Sequence, residues 1–332
     1  MMMPPAAGPI RPPSEAHSLL IRVTVNCPWN KCEFCSTFKG ERFQLRTIAE
    51  VKEDILAAKG CVDDIQKCAE QVGLVASIGD IARHNGILWL ENDGVRSAFL
   101  QDADSLIMKT EPLAEIVEFL CETFPTLERV CSYARGKTVL RKKPEELRRL
   151  REAGLSRLHI GLETGDDELL AYVQKGATAD EMVQAGKKAI EAGFELSEYV
   201  MPGLGGRERW LQHAKNTARV LNEINPHFIR LRTLRLSQGT PLYEKAKQGE
   251  FHVNSIEGVL LETRKLIEDL EVTSELITSD FASNFFMGEV DGRLPEDKEK
   301  LLKSIDQALT EWRLRGEPKR NPFLGNLNQF VT

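Results

Sequence analysis

Three cysteines lie close together near the N-terminus, where the run CPWNKCEFC extends from Cys27 through Cys32 to Cys35. The residues just before the run, 22–26, are of types that favour a strand. The cysteines therefore follow the carboxyl end of a predicted strand, where parallel α/β folds place their chemistry. A 4Fe–4S cluster normally has four cysteine ligands. Three thiolates would hold such a cluster and leave one iron open to a small molecule.

Two other metal-binding functions are compatible with clustered cysteines. A zinc site would need a fourth Cys or His at a recognisable spacing, and neither His17 nor His84 supplies one. An electron-transfer ferredoxin would supply all of its ligands in short runs, and no fourth cysteine follows here. A non-enzymatic Fe–S or zinc protein that transfers electrons or regulates a partner is therefore the alternative to an enzyme.

The remaining cysteines are scattered along the chain. An odd total of seven, without a secretion signal, argues against a disulfide framework. Their spacings match no second cluster, so they are predicted to be small core residues and not ligands. These residues are Cys61, Cys68, Cys121 and Cys131.

Composition narrows the class of protein. The chain has 332 residues, 42% of them hydrophobic, which is ample for a large α/β unit. No apolar run approaches the roughly 18–20 residues that span a bilayer, and the N-terminus does not resemble a signal peptide. The net charge of −6 disfavours bulk electrostatic binding of nucleic acid. We expect a cytoplasmic protein without a membrane partner.

Short apolar runs alternate with amphipathic stretches, which predicts parallel strands joined by helices. The pattern fits an open doubly wound sheet or a full or partial barrel. The predicted strands are 22–26, 97–104, 129–134, 157–164, 195–202 and 228–236. The predicted organisation is a flexible tail over 1–18, a core over 19–248 with a helical insertion at about 60–94, and a helical C-terminal extension over 249–332.

The three cysteines, with aromatic Phe34 directly before the last, resemble the cluster motif of the radical S-adenosylmethionine (SAM) superfamily. The usual family spacing is C-x3-C-x2-C, whereas this chain has one more residue in the first gap. The similarity extends from about residue 22 to 244 and looks most like the branch of oxygen-independent coproporphyrinogen oxidases and methylthiotransferases. It implies a partial (β/α)6 TIM-like barrel, a 4Fe–4S cluster on the cysteines, and SAM as cofactor.

The resemblance also implies which residues contact SAM. Phe34 would lie beside the cluster, and Asp102 and Asp104, at the end of the second strand, would pair with the SAM amino group. Those carboxylates are equally well explained as helix caps. Gly203, in the turn after the fifth strand, would lie beside the adenosine because glycine lets the backbone approach a ligand.

The fourth strand carries polar residues on one face. Alternation places Arg157, His159 and Glu163 on that face, opposite the leucines and isoleucine that would meet the helices. Glu163, near the carboxyl end, would contact a ribose hydroxyl or an ammonium of SAM, or else form a salt bridge with an arginine. His159 lies deeper in the strand and is predicted to be a satisfied core histidine.

The sixth strand places Arg230 and Arg232 on one face. Buried arginines are costly unless an anion pairs with them. That anion would be Glu163, the SAM carboxylate, the substrate, or a purely structural partner. We assign Arg232 to SAM and treat Arg230 and Tyr133 as candidate substrate contacts.

The activity implied by the resemblance is reductive cleavage of SAM to a 5′-deoxyadenosyl radical, which abstracts hydrogen from a small polar substrate. A reductant such as flavodoxin or ferredoxin would supply the electron. The basic run over 135–157 leaves an RNA-modifying radical SAM enzyme as a further alternative. A solvent-exposed helix face explains that run better, so nucleic acid is disfavoured as a partner.

Overall fold

The computed structural model describes residues 8–281, 283–284 and 290–315. The strands in these ranges are β1 (Leu19–Arg22), β2 (Thr24–Val25), β3 (Gln44–Leu45), β4 (Ser97–Gln101), β5 (Arg129–Ala134), β6 (Leu155–Glu163), β7 (Glu195–Val200), β8 (Phe228–Leu231), β9 (Glu275–Ile277) and β10 (Gly292–Arg293). The helices are α1 (Ile48–Gln71), α2 (Ile78–His84), α3 (Thr110–Thr123), α4 (Gly136–Arg141), α5 (Pro144–Glu152), α6 (Asp167–Tyr172), α7 (Ala179–Glu191), α8 (Gly206–Ile224), α9 (Pro241–Gln248), α10 (Ile256–Asp269) and α11 (Lys298–Arg315).

The first of two compact units comprises the chain up to residue 28, residues 41–159 and residues 191–195. Its central strand is β4, which pairs in parallel with β1 on one side and β5 on the other. Phe99 of β4 lies opposite Cys131 of β5 and is fully buried. Helices α1 and α3 pack against each other in this unit.

The second unit comprises residues 29–40, 160–190 and 196 onward. Strands β7, β8 and β9 are parallel, and β10 is antiparallel to β9. Helix α10 packs on α8 and α11. The predicted α/β class with a mostly parallel sheet is confirmed.

Local sequence signals explain where several helices begin. Thr47 and Glu50 form a reciprocal capping box at α1, in which each side chain binds the other residue's backbone N–H. Thr178 and Glu181 make the same pair of bonds before α7. Gly193 closes that helix with a φ of +89°.

The N-terminal segment is not a flexible tail over its described part. Residues 13–15 form a 3-10 helix, and the side chain of Glu15 is fully buried. Gly8 N–H donates to Gln101 Oε1 at 2.8 Å, and Gln101 Nε2 donates to the Ile10 carbonyl at 2.7 Å. The prediction failed because a proline-rich composition does not reveal a long-range amide partner. Residues 1–7 lie outside the described part.

Two other boundaries differ from prediction. Gly60 does not mark the start of an insertion, because α1 runs through it to Gln71. The extension over 249–332 was expected to be helical, yet it contains β9, which pairs in parallel with β8. This strand has three residues, and only Leu276 is buried. An alternation of buried and exposed residues, the sequence signal of a strand, cannot be recognised over so short a length.

Candidate functional site

The loop that carries Cys32 and Cys35 is bound to the rest of the second unit through main-chain hydrogen bonds. Glu33 N–H donates to the Val173 carbonyl at 2.9 Å, and the Glu33 carbonyl accepts from Leu242 N–H at 3.1 Å. One residue between the two cysteines is therefore fixed on both sides, by the end of α6 and the start of α9.

The Glu33 side chain strengthens the same attachment. It is 5% exposed, accepts a bond from Gln174 Nε2 at 2.8 Å, and forms an ion pair with Lys245 at 2.5 Å. A buried carboxylate with two partners of this kind is a strong constraint, because removing either one leaves a charge unpaired. The sequence analysis missed Glu33, since both partners lie more than a hundred residues away.

Trp29 provides a further attachment of the loop. Its indole Nε1–H donates to the Gln174 carbonyl at 2.7 Å. Its ring also lies against Gly176, where an added Cβ would come within 2.5 Å of the ring. Gly176 has a φ of +77°, so both backbone conformation and space require glycine there.

The three predicted cluster ligands form no disulfide within the described part of the chain, and all three residues are partly exposed. Cys32 and Cys35 lie in a tight turn, because Cys35 N–H donates to the Cys32 carbonyl at 3.3 Å. Phe34 is also partly exposed. The thiols are accessible, and the loop that carries them is held by the backbone bonds of Glu33. This arrangement suits an Fe–S cluster, whose cysteine ligands must be deprotonated and reachable.

Cys27 lies in the first unit and follows a residue with unusual backbone geometry. Asn26 has a φ of +67°, and its side chain donates to the Arg42 carbonyl at 2.8 Å. Asparagine tolerates this left-handed conformation better than most residues. The sequence analysis did not single out Asn26, although an Asn directly before a motif is a usable turn signal.

Asp102, predicted to bind the SAM amino group, supports this turn. One carboxylate oxygen accepts bonds from Arg22 Nε at 2.9 Å, Arg22 Nη2 at 2.7 Å and the Asn26 backbone N–H at 2.8 Å. The side chain is fully buried. Asp102 therefore fixes the backbone directly before Cys27 through its own protein partners.

Asp104, the second predicted carboxylate, binds the start of α4. It accepts from Thr138 Oγ1 at 2.6 Å and from Arg135 N–H at 3.3 Å. Burial raises the pKa of Asp104 to about 6, against the lowering effect of these hydrogen bonds. The side chain of Asp104 does not cap the short 3-10 helix Ser105–Ile107 that follows it, so the predicted helix cap is not formed there.

Glu163 belongs to a buried charge cluster in the second unit. It forms an ion pair with Lys175 at 2.8 Å, so the expected arginine partner is a lysine instead. Both side chains are about seven-eighths buried, at 14% and 13% exposure. Gly161 makes this pair possible, because a Cβ there would lie 2.3 Å from the Glu163 carboxylate and 2.8 Å from Lys175 Nζ.

A second carboxylate of this cluster was missed by the sequence analysis. Glu198 is 1% exposed, and a hydrogen bond with the Leu162 backbone acts to lower its pKa. Burial raises the pKa of Glu198 well above its usual value; Lys175 lowers it and the neighbouring Glu163 raises it further. The cluster therefore holds one lysine beside two carboxyl groups.

Gly203 is held by a residue of the C-terminal extension. It has a φ of +87°, and its N–H donates to Glu262 Oε1 at 2.8 Å. His213 Nδ1 lies 3.3 Å from the same oxygen. Burial raises the pKa of Glu262 to about 8 and lowers the pKa of His213 to about 4, so both are neutral at pH 7.

His213 also links this network to Glu163. A hydrogen bond with the Glu163 backbone partly offsets the fall in the pKa of His213 caused by burial. Glu163 itself has a φ of +63°, and its carbonyl accepts from Met201 N–H at 2.9 Å. The end of β6 and the turn after β7 are thus joined by one buried polar network.

The two arginines of the sixth predicted strand have different environments. Arg230 is 3% exposed, forms an ion pair with Asp280, and donates to Ser197 Oγ at 3.2 Å. Arg232 is exposed, and its guanidinium lies 5.2 Å from the centroid of the Phe281 ring. The expectation that both are buried was wrong for Arg232, because β8 ends at Leu231.

Tyr133 and His159 lie together in the first unit. Tyr133 is half-buried, and its ring packs edge-on against Phe99 at 5.0 Å and His159 at 6.1 Å between centroids. His159 Nε2 lies 3.6 Å from Glu15 Oε1, which agrees with a core histidine that has a partner. Arg157 pairs with Glu195 at 2.8 Å and is structural.

The other cysteines mostly behave as core residues. Cys61 and Cys131 are buried and Cys121 is partly exposed, but Cys68 is exposed. The expectation of a buried thiol was wrong for Cys68, because the later part of α1 buries Ile65 and Ala69 and leaves Cys68 outside the buried stripe.

Part of the basic run over 135–157 has protein partners. Arg149 pairs with Glu111 and Glu118, and Lys142 is buried with its Nζ on the Met108 carbonyl at 3.0 Å. Such partners leave less free positive charge than the sequence suggests. Separately, no helix among the described residues has the length and apolar character needed to cross a membrane.

Comparison with known proteins confirms the resemblance. A sequence model of the radical SAM superfamily matches residues 87–217. Over 110 residues the chain is 24% identical to the tRNA uridine(34) acetyltransferase of Methanocaldococcus jannaschii, covering 32% of this chain and 20% of that protein. Over 126 residues it is 28% identical to biotin synthase of Clostridium botulinum, covering 38% of each.

The chain thus spans well under two thirds of the length of these curated relatives. Among solved structures, coproporphyrinogen III oxidase from Escherichia coli is similar, with a TM-score of 0.48 and 16% identity. The similarity covers 76% of this chain and 52% of that one.

The buried network at Gly203 gives a testable pH dependence. The pKa of Glu262 is higher in the folded protein than in the unfolded chain, so the protonated side chain stabilises the fold. This stabilisation is complete below about pH 4.5 and is lost as the pH rises through about 8. We expect Glu262→Gln to abolish this loss, because glutamine mimics the protonated acid. The urea midpoint of the wild-type protein should fall relative to that of the variant between pH 5 and pH 8.

Glu257→Gln, on the exposed side of the same helix, is the matched control and should follow the wild-type curve. If the wild-type and Glu262→Gln curves stayed parallel over the whole range, Glu262 would not be protonated in the folded protein.

Proposed function

The chain carries a radical SAM domain, and on that premise we propose that it binds a 4Fe–4S cluster through Cys27, Cys32 and Cys35. We further propose that it cleaves SAM reductively and acts on a small polar substrate. The observation that carries this proposal is the attachment of the cysteine loop through buried Glu33, which leaves the thiols accessible.

The thiols fit the cluster better than they fit a structural disulfide or an inert core. All three are reduced and partly exposed, in contrast to fully buried Cys61 and Cys131. When bound, the reduced cluster and SAM supply a 5′-deoxyadenosyl radical that abstracts hydrogen from the substrate. The protein's own task is to position both groups and exclude water and oxygen.

The charge cluster of the second unit is the best candidate for contact with SAM. Glu163 presents a carboxylate suited to a ribose hydroxyl or an ammonium, and Lys175 suits the SAM carboxylate. Burial raises the pKa of Glu198 beside them and so favours its protonated form, which can donate a hydrogen bond. Gly203 allows the neighbouring turn its left-handed conformation, with a φ of +87°.

The other predicted contacts carry less support. Asp102 and Asp104 are committed to protein partners, so their role is to shape the backbone near the site. Arg230 is neutralised by Asp280, whereas Arg232 is exposed and keeps its charge for an anion. Tyr133 is half-buried and stays a candidate for substrate contact, as Phe34 does for SAM.

The electron would come from a small reductant of the flavodoxin or ferredoxin type, which a partly exposed cluster loop can reach.

A second candidate function is RNA modification, favoured by the similarity to an enzyme named for tRNA uridine. Phosphate contacts make RNA affinity fall steeply with salt. A filter-binding titration at two salt concentrations therefore distinguishes this function from action on a small molecule.

Replacing any one of Cys27, Cys32 or Cys35 with alanine should abolish the cluster absorbance and SAM cleavage, because three thiolates are the fewest that hold the cluster. The measurement is anaerobic reconstitution with iron and sulfide, followed by dithionite, SAM and assay of 5′-deoxyadenosine. Cys61→Ala, a buried thiol outside the loop, is the control and should keep both signals. A loop variant with full iron content would disprove the assignment.

Glu163→Gln should weaken SAM binding by roughly 1–3 kcal/mol, the range for losing a hydrogen bond to a charged group. Lys175→Met removes the partner of Glu163 and leaves the carboxylate in place. Each variant is titrated with SAM and melted thermally. A lower melting temperature with an unchanged SAM titration for both variants would make the pair purely structural, and the ligand role of Glu163 would be wrong.

A further inference from the structure

Three potential metal ligands converge in the core of the first unit. Glu15 lies on the N-terminal 3-10 helix, Cys131 on β5 and His159 on β6. One ligand atom from each lies within 4.8 Å of the other two, and all three side chains are fully buried. We propose that these residues form a second metal site, for a single divalent ion of the zinc class.

The spacing suits a single tetrahedral ion. Ligand atoms around tetrahedral zinc lie about 3.3–3.9 Å apart, given zinc distances of about 2.0–2.3 Å. Glu15 Oε1 and His159 Nε2 are already 3.6 Å apart. The thiol needs at most a shift of about 1 Å, which one change of rotamer angle provides.

The surrounding residues orient the ligands in the way that metal sites require. Ser18 Oγ donates to Glu15 Oε2 at 2.5 Å, and Arg129 donates to the same oxygen at 3.3 Å. Both bonds therefore use one carboxylate oxygen, and the other oxygen faces the histidine. Outer partners of this kind fix a carboxylate ligand and tune the metal.

The imidazole is oriented by aromatic neighbours. Phe99 and Tyr133 pack edge-on against His159, with ring centroids at 6.0 and 6.1 Å. This packing limits rotation of the ring and keeps Nε2 near Glu15. The donor set of one nitrogen, one sulfur and one oxygen is typical of zinc and similar borderline ions.

The charge balance favours a dication. Cys131 is fully buried, and a charged group in the interior needs a partner of opposite charge. A thiolate and a carboxylate together neutralise a divalent ion, and a neutral imidazole completes the set. The ion would tie the N-terminal segment to two strands. In the alternative, Glu15 is simply the buried partner of Arg129 and His159, and the thiol fills space.

The test uses the full chain with Cys27, Cys32 and Cys35 all changed to alanine, so that the proposed cluster cannot bind metal. The protein is stripped with a chelator, exposed to Zn²⁺ or Co²⁺, desalted, and analysed for bound metal and absorbance. We expect about one ion per chain, a near-ultraviolet thiolate-to-cobalt charge-transfer band, and a raised thermal melting temperature with zinc.

Adding Cys131→Ser to this background should remove the cobalt band and reduce bound metal to background, while Cys61→Ser, at another buried thiol, should change neither. If the Cys131 variant fails to fold, the metal content and cobalt band of the triple-alanine protein are sufficient to test the proposal. Absence of bound metal from the parent, or a cobalt spectrum without the thiolate band, would overturn the proposal and leave a buried ion cluster. This result is independent of whether the cysteine loop holds a cluster.

Discussion

The buried carboxylate of Glu33 is the interaction on which the candidate site depends. A loop that offers thiols to a cofactor cannot bury those thiols, so it gains little from its own hydrophobic contacts. Glu33 resolves this conflict, since it lies between Cys32 and Cys35 and binds Lys245 and Gln174 through its side chain. Its backbone joins the ends of two helices. These contacts of Glu33 hold the loop in place without burying the thiols.

Buried acid groups fix two further sharp turns of the chain. Asp102 fixes the turn before Cys27, and Glu262 fixes the turn at Gly203. Each accepts a backbone N–H that the turn leaves without a partner in regular secondary structure. Glu262 and His213 achieve this in neutral form, which avoids the cost of burying charge. The C-terminal extension thus supports the site and is more than a cover.

Local signals in the sequence predicted the parts of this structure that depend on neighbouring residues. The cysteine spacing indicated the family, and the capping boxes at Thr47 and Thr178 indicated where helices begin. What could not be predicted depends on contacts distant in sequence. Lys175 as the partner of Glu163 appears only once the chain is folded. A period of two likewise placed Arg232 inside, because it cannot show where a strand ends.

The most direct test of this account is the Glu33→Ala variant, compared with Glu250→Ala at a nearby exposed carboxylate. Both proteins are reconstituted anaerobically, and bound iron is measured beside the far-ultraviolet circular dichroism spectrum. The account predicts that Glu33→Ala keeps the helical spectrum and loses most of its iron, because the loop is no longer held between its two helices. Full iron content in that variant would show that the cysteines do not depend on this attachment, and would contradict the account.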